Sequence, residues 1–272
     1  MLDGEIIGQG SSSLVVVRNE SRSSKKVITA FKCFLCEKGN VRKRKLYEKE
    51  VQALQRLNHS NIVTYYGCNE SNGLLAIEIE YCERGNLQKI IYDQKYVYSI
   101  TTVLTWAKQL FSALSYLHQE RNIVHRDVKP ANIFVSKDFH LKLGDFGCVR
   151  QLEATSTGTL VGTQRYMSPR MKSKEEPYKV SKRNDVYGAG LVLWEMVERR
   201  SVFDEYTLDR NFDANNFYID IFTKKLTALK PPDCFDELKE LIVITTNFDQ
   251  KQRPSASRVL AQLKEIIEVG PS

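Results

Sequence analysis

The pattern of apolar residues changes near residue 82, and this change restricts the folds that the chain can adopt. Before it, Leu14 to Val17, Val27 to Phe34 and Leu74 to Glu80 are short apolar or alternating runs rich in branched side chains, which favour β-strands. After it, the spacing predicts helices over Val103 to His118, Val186 to Val197, Phe235 to Ile244 and Ala256 to Ile267. The sequence therefore predicts an α+β protein with a small strand-rich lobe, a short hinge and a larger helical lobe.

The strand-rich part contains two further features. The polar stretch Asn19 to Ser24 separates the first two strand runs and is typical of a turn. Leu46, Glu50 and Leu54 recur at helical spacing, so a helix interrupts the strands and Glu50 faces inward. An inward carboxylate requires a cation beside it, because an unpaired buried charge is costly.

Length and composition agree with two lobes that share a cleft, which is a usual place for a ligand. With 272 residues, 42% hydrophobic and 27% charged, the chain is not expected to be disordered. The net charge of +7 suits anionic partners, although an ordinary solvated surface explains it better. Nothing resembles a base-reading or stacking platform, so a nucleic-acid-binding module is not expected.

The sequence also bears on the compartment. Its amino terminus lacks the basic start and apolar run of a signal peptide. The longest apolar stretch, Ala189 to Val197, is interrupted by Glu195 and is too short to span a membrane. Six cysteines without a secretory signal predict reduced thiols, and the lone pair Cys33 and Cys36 lacks the second ligand pair of a zinc site. We expect a cytoplasmic protein, with the nucleus as the alternative.

Four segments carry candidate chemistry. Glycines at Gly8 and Gly10, between two predicted strands, let backbone amides approach phosphate oxygens, although a tight hairpin turn is equally consistent. Lys32, at the end of a strand, either holds phosphate oxygens or simply points to water. The two stronger segments read HRDVKPAN over residues 125–132 and LGDFG over residues 143–147.

In this order the four segments resemble the signature of protein kinases, and the resemblance covers Gly8 to Pro254. It implies the two-lobed protein kinase fold, in which the small lobe is an antiparallel sheet with one key helix. The whole chain, 1–272, is then one kinase domain, with residues 1–81 as the amino-terminal lobe, 82–86 as the hinge and 87–272 as the carboxy-terminal lobe. The implied cofactors are ATP and Mg²⁺, and the implied partner is a protein that presents serine or threonine.

The resemblance also assigns catalytic and metal-binding roles. Phosphoryl transfer requires positioning and charge neutralisation more than covalent help. Lys32 is expected to contact the α- and β-phosphates and to be held by Glu50, while Asp127 accepts the proton of the substrate hydroxyl and Lys129 stabilises the γ-phosphate. The expected Mg²⁺ ligands, an amide and a carboxylate of the type that this hard cation prefers, are Asn132 and Asp145.

The nucleotide site is assigned in the same way. Backbone groups of Glu80 and Cys82 are expected to bond the adenine edge, and Ile79 to stand at the back of the pocket. The ring is expected to lie between Val15, Ala30 and Phe134, all of which burial alone would also explain. The remaining expected contacts are the loop residues Gly8, Gln9, Gly10, Ser11, Ser12 and Ser13, together with Lys32 and Asn86.

Two features favour serine and threonine over tyrosine as the acceptor. Lys129 stands two residues after Asp127, as in serine/threonine kinases. The segment GTQRYMSP, residues 162–169, is similar to their substrate-docking segment, in which Thr163 is expected to bond Asp127 and Lys129. The subfamily stays open between upstream kinases of mitogen-activated cascades, eIF2 kinases and NimA-like kinases. Ala131 and Asn86 predict no strong preference for arginine upstream of the target residue.

Arg126 precedes the catalytic aspartate, which in kinases often accompanies activation by phosphorylation of the loop from Asp145 to Pro169. The activator is expected to be an upstream kinase or a second copy acting in trans, and the candidate sites are Thr155, Ser156, Thr157 and Thr159. We hypothesise that the basic run Arg42 to Lys45 receives that phosphate. A nuclear-import patch or a solvated basic run explains it equally well.

The sequence departs from the family pattern at two positions. Ser13 replaces the usual third glycine. Arg170 stands where the family has a glutamate paired with an arginine that corresponds to Arg253, so two like charges would meet, and Arg170→Glu is expected to raise thermal stability. Two rival interpretations are a catalytically impaired scaffold or allosteric partner, and a small-molecule or lipid kinase. The intact catalytic set argues against the first, and the docking segment against the second.

Overall fold

A computed structural model describes residues 4–9, 13–22, 25–35, 41–71, 73–151, 163–169, 181–209 and 211–270. The amino-terminal lobe is one antiparallel sheet with spatial order β1-β2-β3-β5-β4. Its strands are β1 (Glu5–Gln9), β2 (Leu14–Arg22), β3 (Lys25–Leu35), β4 (Tyr65–Ser71) and β5 (Leu74–Glu80), and helix α1 (Val41–Leu54) lies between β3 and β4. The predicted strands and the helix that carries Glu50 are therefore present.

The predicted turn over Asn19 to Ser24 is wrong for residues 19–22, which belong to β2. They continue the antiparallel ladder, with Asn19 opposite Ile28 and Arg22 opposite Lys25. Cross-strand pairing along β3 outweighs the weak local preference of these polar residues, because strand propensity depends strongly on context.

Strand register gives the two faces of the sheet different roles. Residues directly opposite each other in an antiparallel pair share a face, and alternate residues do as well. Val15 lies opposite Lys32, and Ala30 lies opposite Ile79, so these four side chains share one face. The other face carries a small apolar cluster of Val16, Cys33 and Ala76. The face with Lys32 is the one that meets α1.

The carboxy-terminal lobe is mainly helical. Its helices are α2 (Leu87–Tyr92), α3 (Ile100–Gln119), α4 (Lys182–Glu198), α5 (Ala214–Phe222), α6 (Asp236–Thr245) and α7 (Ala256–Val269). The central helices α3 and α4 bury long apolar faces in the main core. Among the described helices, none has the length and apolarity needed to cross a membrane.

Short antiparallel pairs join the helices and shape the cleft. They are β6 (Ile123–Val124) with β9 (Arg150–Gln151), β7 (Ile133–Val135) with β8 (Leu141–Leu143), and β10 (Thr207–Leu208) with β11 (Asn211–Phe212).

The hinge between β5 and α2 is fixed to the larger lobe. Val135 N donates to Gly85 O at 2.8 Å, and Arg84 N donates to Val135 O at 3.2 Å. A second link joins the chain after α1 to β8, since Leu143 N donates to Asn61 O at 2.8 Å. These bonds set the two lobes on either side of one cleft.

Candidate active site

Lys32, Glu50 and Asp145 meet at the back of the cleft. The Lys32 ammonium donates to both carboxylate oxygens of Glu50, at 2.7 and 2.9 Å, and to Asp145 Oδ1 at 2.8 Å. Glu50 is buried, as the helical spacing of α1 predicts. Asp145 keeps 41% of its side-chain surface exposed to the cleft. One strand, one helix and one loop thus bring a cation between two carboxylates.

The electrostatics of this cluster follow from burial and from pairing. Desolvation alone would lower the pKa of Lys32, but the charges of Glu50 and Asp145 raise it well above its usual value. Burial raises the pKa of Glu50. Burial would also raise the pKa of Asp145, but the Lys32 charge and hydrogen bond outweigh it and hold that pKa below its usual value. Lys32 is therefore a permanent cation, and Asp145 is an anion at neutral pH.

The backbone around Asp145 is specialised. Asp145 has φ 57° and ψ 75°, a left-handed conformation that is uncommon for residues other than glycine. The next side chain, Phe146, is buried and packs edge to face against His125, with ring centroids 5.1 Å apart. At Gly144 a Cβ atom would lie 2.7 Å from Phe134 Cε2, so only glycine lets the loop pass this close to the ring.

Asp127 is the centre of a second cluster. Its Oδ2 lies 2.8 Å from Lys129 Nζ and accepts a hydrogen bond from Asn132 Nδ2 at 2.8 Å. Its Oδ1 accepts from Thr163 N at 3.0 Å and from Thr163 Oγ1 at 3.2 Å. Lys129 Nζ also donates to Thr163 Oγ1, so the predicted contacts of Thr163 with Asp127 and Lys129 are both present.

Asp185 was not singled out in the sequence, yet it holds the loop that carries Asp127. Its carboxylate accepts from the backbone N–H groups of His125 and Arg126, each at 2.8 Å, and lies 2.8 Å from His118 Nε2. Arg126 has φ 74°, a strained value for arginine. Two bonds to one buried carboxylate stabilise this conformation. The only feature of the sequence that pointed to Asp185 was its place directly before the predicted helix Val186 to Val197.

The expected nucleotide-binding side chains line both sides of the cleft. Val15, Ala30 and Ile79 share the sheet face described above. Phe134 lies on β7 of the other lobe, where it forms an isolated antiparallel bridge with Asn86. A flat ring between these walls would meet apolar surfaces on both sides.

The hinge residues serve partly structural roles. The Glu80 side chain pairs with Lys142 at 2.9 Å and accepts from Thr64 Oγ1 at 2.9 Å, so its backbone is held in place. Cys82 is buried. Asn86 caps α2, its Oδ1 accepting from Lys89 N at 3.1 Å. The cap uses the amide oxygen of Asn86 and not its amide nitrogen.

The glycine-rich loop is described only at its ends. Gly8 lies opposite Val15, and Gln9 lies opposite Leu14, so both belong to the β1–β2 ladder, and Ser13 directly precedes β2. The predicted sites that fall outside the described residues are Gly10, Ser11, Ser12, Thr155, Ser156, Thr157, Thr159 and Arg170.

The residues present fit Mg²⁺ and the phosphates of a nucleotide. Asn132 uses Nδ2 for both of its bonds to Asp127, which leaves its Oδ1 as an oxygen ligand. Asp145 binds Lys32 through Oδ1 and is still substantially exposed. The backbone joins the two positions, because Gly144 N donates to Asn132 O at 2.9 Å. Amide and carboxylate oxygens are the ligands that Mg²⁺ prefers.

The basic side chains near α1 include residues outside the run Arg42 to Lys45 that the sequence analysis proposed as a phosphate site. Arg44 pairs with Glu70 on β4 and lies 3.9 Å from Glu48. Lys49, which was not part of the predicted run, has a lowered pKa because of burial and because of the nearby charges of Arg126 and Arg150. Pairing of β6 with β9 brings Arg150 opposite Val124, close to Arg126 in the chain. Lys49, Arg126 and Arg150 are therefore close enough for their positive charges to act on one another.

The docking segment is tied to a buried acid. Glu195 in α4 accepts from Tyr166 Oη, at 3.0 Å to each carboxylate oxygen, and from Val202 N at 2.8 Å. Burial raises the pKa of Glu195 to about 7. Arg253, the expected partner of the position now occupied by Arg170, is fully buried and bonded to backbone carbonyls. No sequence pattern predicted the bond between Glu195 and Tyr166 or the bonds of Arg253 to backbone carbonyls.

Comparison with known proteins decides the family. A family model described as "Protein kinase domain" matches residues 2–263. The chain belongs to the protein kinase family. The two-lobed kinase fold expected from the sequence is thus confirmed.

Curated relatives of this kinase domain include several serine/threonine kinases. It is 33% identical to serine/threonine-protein kinase Nek4 of Mus musculus over 261 residues, which is 94% of this chain and 31% of that protein. It is 35% identical to Nek9 of Xenopus laevis over 219 residues, 78% of this chain and 22% of that protein. It is 34% identical to probable serine/threonine-protein kinase nek3 of Dictyostelium discoideum over 222 residues, 78% of this chain and 19% of that protein. The chain spans less than a third of the length of each.

Proposed function

We propose that this kinase domain transfers the γ-phosphate of ATP to serine or threonine hydroxyls of proteins. The observation that carries the proposal is the arrangement of two charge clusters, Lys32 with Glu50 and Asp145, and Asp127 with Lys129 and Thr163. The names of the Nek relatives support the serine/threonine assignment.

One group of residues binds the nucleotide phosphates and Mg²⁺. Lys32, held by Glu50, binds phosphate oxygens of the nucleotide, and Asp145 and Asn132 supply oxygen ligands for Mg²⁺. When bound, Mg²⁺ neutralises the charge on the transferring phosphate.

Asp127 orients the substrate hydroxyl and accepts its proton as the oxygen attacks the γ-phosphorus and the bond to the ADP oxygen breaks. Lys129 beside it stabilises the negative charge of the transferring group. Thr163 fixes Asp127 from the side of the docking segment, so the base and the acceptor-binding surface are held together.

The test is a transfer assay with Mg²⁺, labelled ATP and a generic protein substrate, followed by phosphoamino-acid analysis. Phosphoserine or phosphothreonine should appear with the intact chain and not with Asp145→Ala or after removal of Mg²⁺. Phosphotyrosine as the main product would contradict the acceptor assignment. ATP binding without any transfer, even after treatment with an upstream kinase, would favour the impaired scaffold.

Control by phosphorylation of the activation loop is part of the proposal. Lys49, Arg126 and Arg150 supply positive charge beside α1. A phosphate group at this place would attract both α1 and the loop that carries Asp127. The run Arg42 to Lys45 supports this less well, since Arg44 is already paired with Glu70. Phosphatase treatment should lower activity, and Lys49→Gln should reduce the gain on rephosphorylation. An unchanged gain would contradict it.

The cytoplasm is the proposed location, with the nucleus as the alternative. The described cysteines support a reducing compartment, because Cys33, Cys68, Cys82, Cys148 and Cys234 all have free thiols. An imaging experiment on the tagged protein tests this, and a secreted or luminal protein would contradict it. The proposed partners are a serine- or threonine-bearing protein and either an upstream kinase or a second copy acting in trans.

A further inference from the structure

A cavity of about 430 Å³ opens in the carboxy-terminal lobe, where the start of α4 meets the loop before α7. None of its lining residues belongs to the active site described above. Four of them, Arg183, Lys251, Arg253 and Arg258, are cations, and no acid is among the described residues that line the cavity. The volume lies in the range of about 300–1,000 Å³ that is usual for ligand sites. Its composition selects an anionic ligand.

None of these cations forms an ion pair with an acid of the described residues, and the charge of Asp249 acts on Arg253 only from a longer distance. Within the described part of the chain, no carboxylate lies within 4.0 Å of any of the four. Arg253 is fully buried and donates to the carbonyls of Asn247, Arg183 and Phe248, at 2.6, 3.1 and 3.1 Å. Carbonyls satisfy its N–H groups but bring no negative charge. Burial accordingly lowers the pKa of Arg253 to about 10.

The amino terminus of helix α7 adds positive potential at this place. Helix α7 begins at Ala256, has no acid in its first turn and carries Arg258 there. Arg183 lies in the first turn of α4, which already contains the acid Asp185, and the Arg183 carbonyl is one of those bonded by Arg253. A cation at a helix amino terminus opposes the helix dipole, whereas an anion is stabilised there. The cationic side chains and the helix amino terminus therefore both favour an anionic ligand.

A phosphate ester matches this site better than a carboxylate does. It carries nearly two negative charges and several acceptor oxygens, which suits a group of arginines and a lysine. The cavity is also larger than a phosphate alone requires, so the residues that flank a phosphorylated side chain have room at its mouth. We propose that the cavity binds a phosphorylated serine or threonine of a peptide segment, with Arg183, Lys251 and Arg258 contacting the phosphate above the buried Arg253.

The test is fluorescence anisotropy with a labelled alanine–glycine peptide that contains a central phosphothreonine, beside the same peptide with threonine. Mg²⁺ and a non-hydrolysable ATP analogue keep the peptide's phosphate out of the active site, and physiological salt screens unspecific attraction. We expect the phosphopeptide to bind at least about tenfold more tightly. Arg258→Gln and Lys251→Gln should each remove most of that preference. Lys264→Gln, an exposed charge on α7 outside the cavity, is the matched control.

Thermal unfolding provides a second measurement that also reports on folding. Inorganic phosphate should raise the Tm of the native chain and of Lys264→Gln, and should raise it less in Arg258→Gln, because a ligand stabilises only the state that binds it. Equal affinity for both peptides would overturn the proposal. So would equal losses in the cavity variants and in the control, which would indicate general charge attraction. Binding of free phosphate that depends on Arg258, without preference for the phosphopeptide, would overturn the peptide as the ligand.

Discussion

Lys32 Nζ lies 2.7 Å from Oε1 of Glu50, although the two residues come from different elements, β3 and α1. The same ammonium reaches Asp145, so the position of α1 is linked to the loop that carries the proposed metal ligand. An ion pair this deeply buried requires close geometry to repay the desolvation of its charges. Movement of α1 would therefore cost the contact that positions Lys32 for phosphate.

We predict that Glu50→Gln lowers kcat/KM for ATP on the order of 10²-fold, because Lys32 loses the charge that holds it and is drawn to Asp145. Steady-state kinetics at varied ATP, with Tm measured in parallel, check this. Glu48→Gln, on an exposed part of the same helix, should leave kcat/KM nearly unchanged. A native value in Glu50→Gln would contradict the role of the pair.

Thr163→Val should lower kcat/KM for the protein substrate about tenfold, since it removes a hydroxyl bonded to Asp127 and Lys129 but keeps the backbone bond to Asp127. KM for ATP should not change, because the hydroxyl lies on the acceptor side. Thr163→Ser retains the hydroxyl and should remain close to the native protein. Equal losses of kcat/KM in Thr163→Val and Thr163→Ser would show that the hydroxyl does not account for the effect.

Asp185→Asn should destabilise the fold by about 2–4 kcal/mol and lower kcat, because the amide accepts fewer of the bonds from His125 N, Arg126 N and His118. The strained backbone at Arg126 would lose its anchor. Chemical denaturation and kinetics measure the two effects, and Asp204→Asn at an exposed position is the control. A loss of stability with native kcat would limit Asp185 to a structural role.

Glu195 should make stability depend on pH. Its pKa rises from about 4.5 to about 7 through burial, and Tyr92, Arg165 and Tyr166 are the titratable or charged groups beside it. Between these values the folded state binds more protons than the unfolded state, so stability falls as pH rises through the window and the loss is complete above pH 7. The expected loss is about 3 kcal/mol.

The measurement is Tm of the native chain and of Glu195→Gln between pH 5 and 8. The amide resembles the protonated acid, so the variant should become the more stable protein toward pH 8. Glu240→Gln, an exposed position, should follow the native curve. Parallel curves for the native chain and Glu195→Gln would contradict the raised pKa.

The sequence by itself determined the parts of this protein that local periodicity and ordered motifs encode. Helical spacing predicted that Glu50 faces inward, and the order of the segments around Lys32, Asp127 and Asp145 predicted the family, its fold and the members of the site. These features depend on residues close together in the chain, where a helix or a loop has few alternative geometries. The length of β2 was missed because its pairing with β3 overrides the local preference of polar residues.

Only the tertiary structure decided which distant side chains share a buried environment. Asp185 beneath the catalytic loop, Glu195 against Tyr166, and the cations around Arg253 come from segments with no common pattern. Their significance arises from desolvation and from the partners that packing provides, and neither quantity is a property of a residue type. An arginine in a sequence is only a charge, and the structure determines whether an acid, a carbonyl or an open cavity faces it.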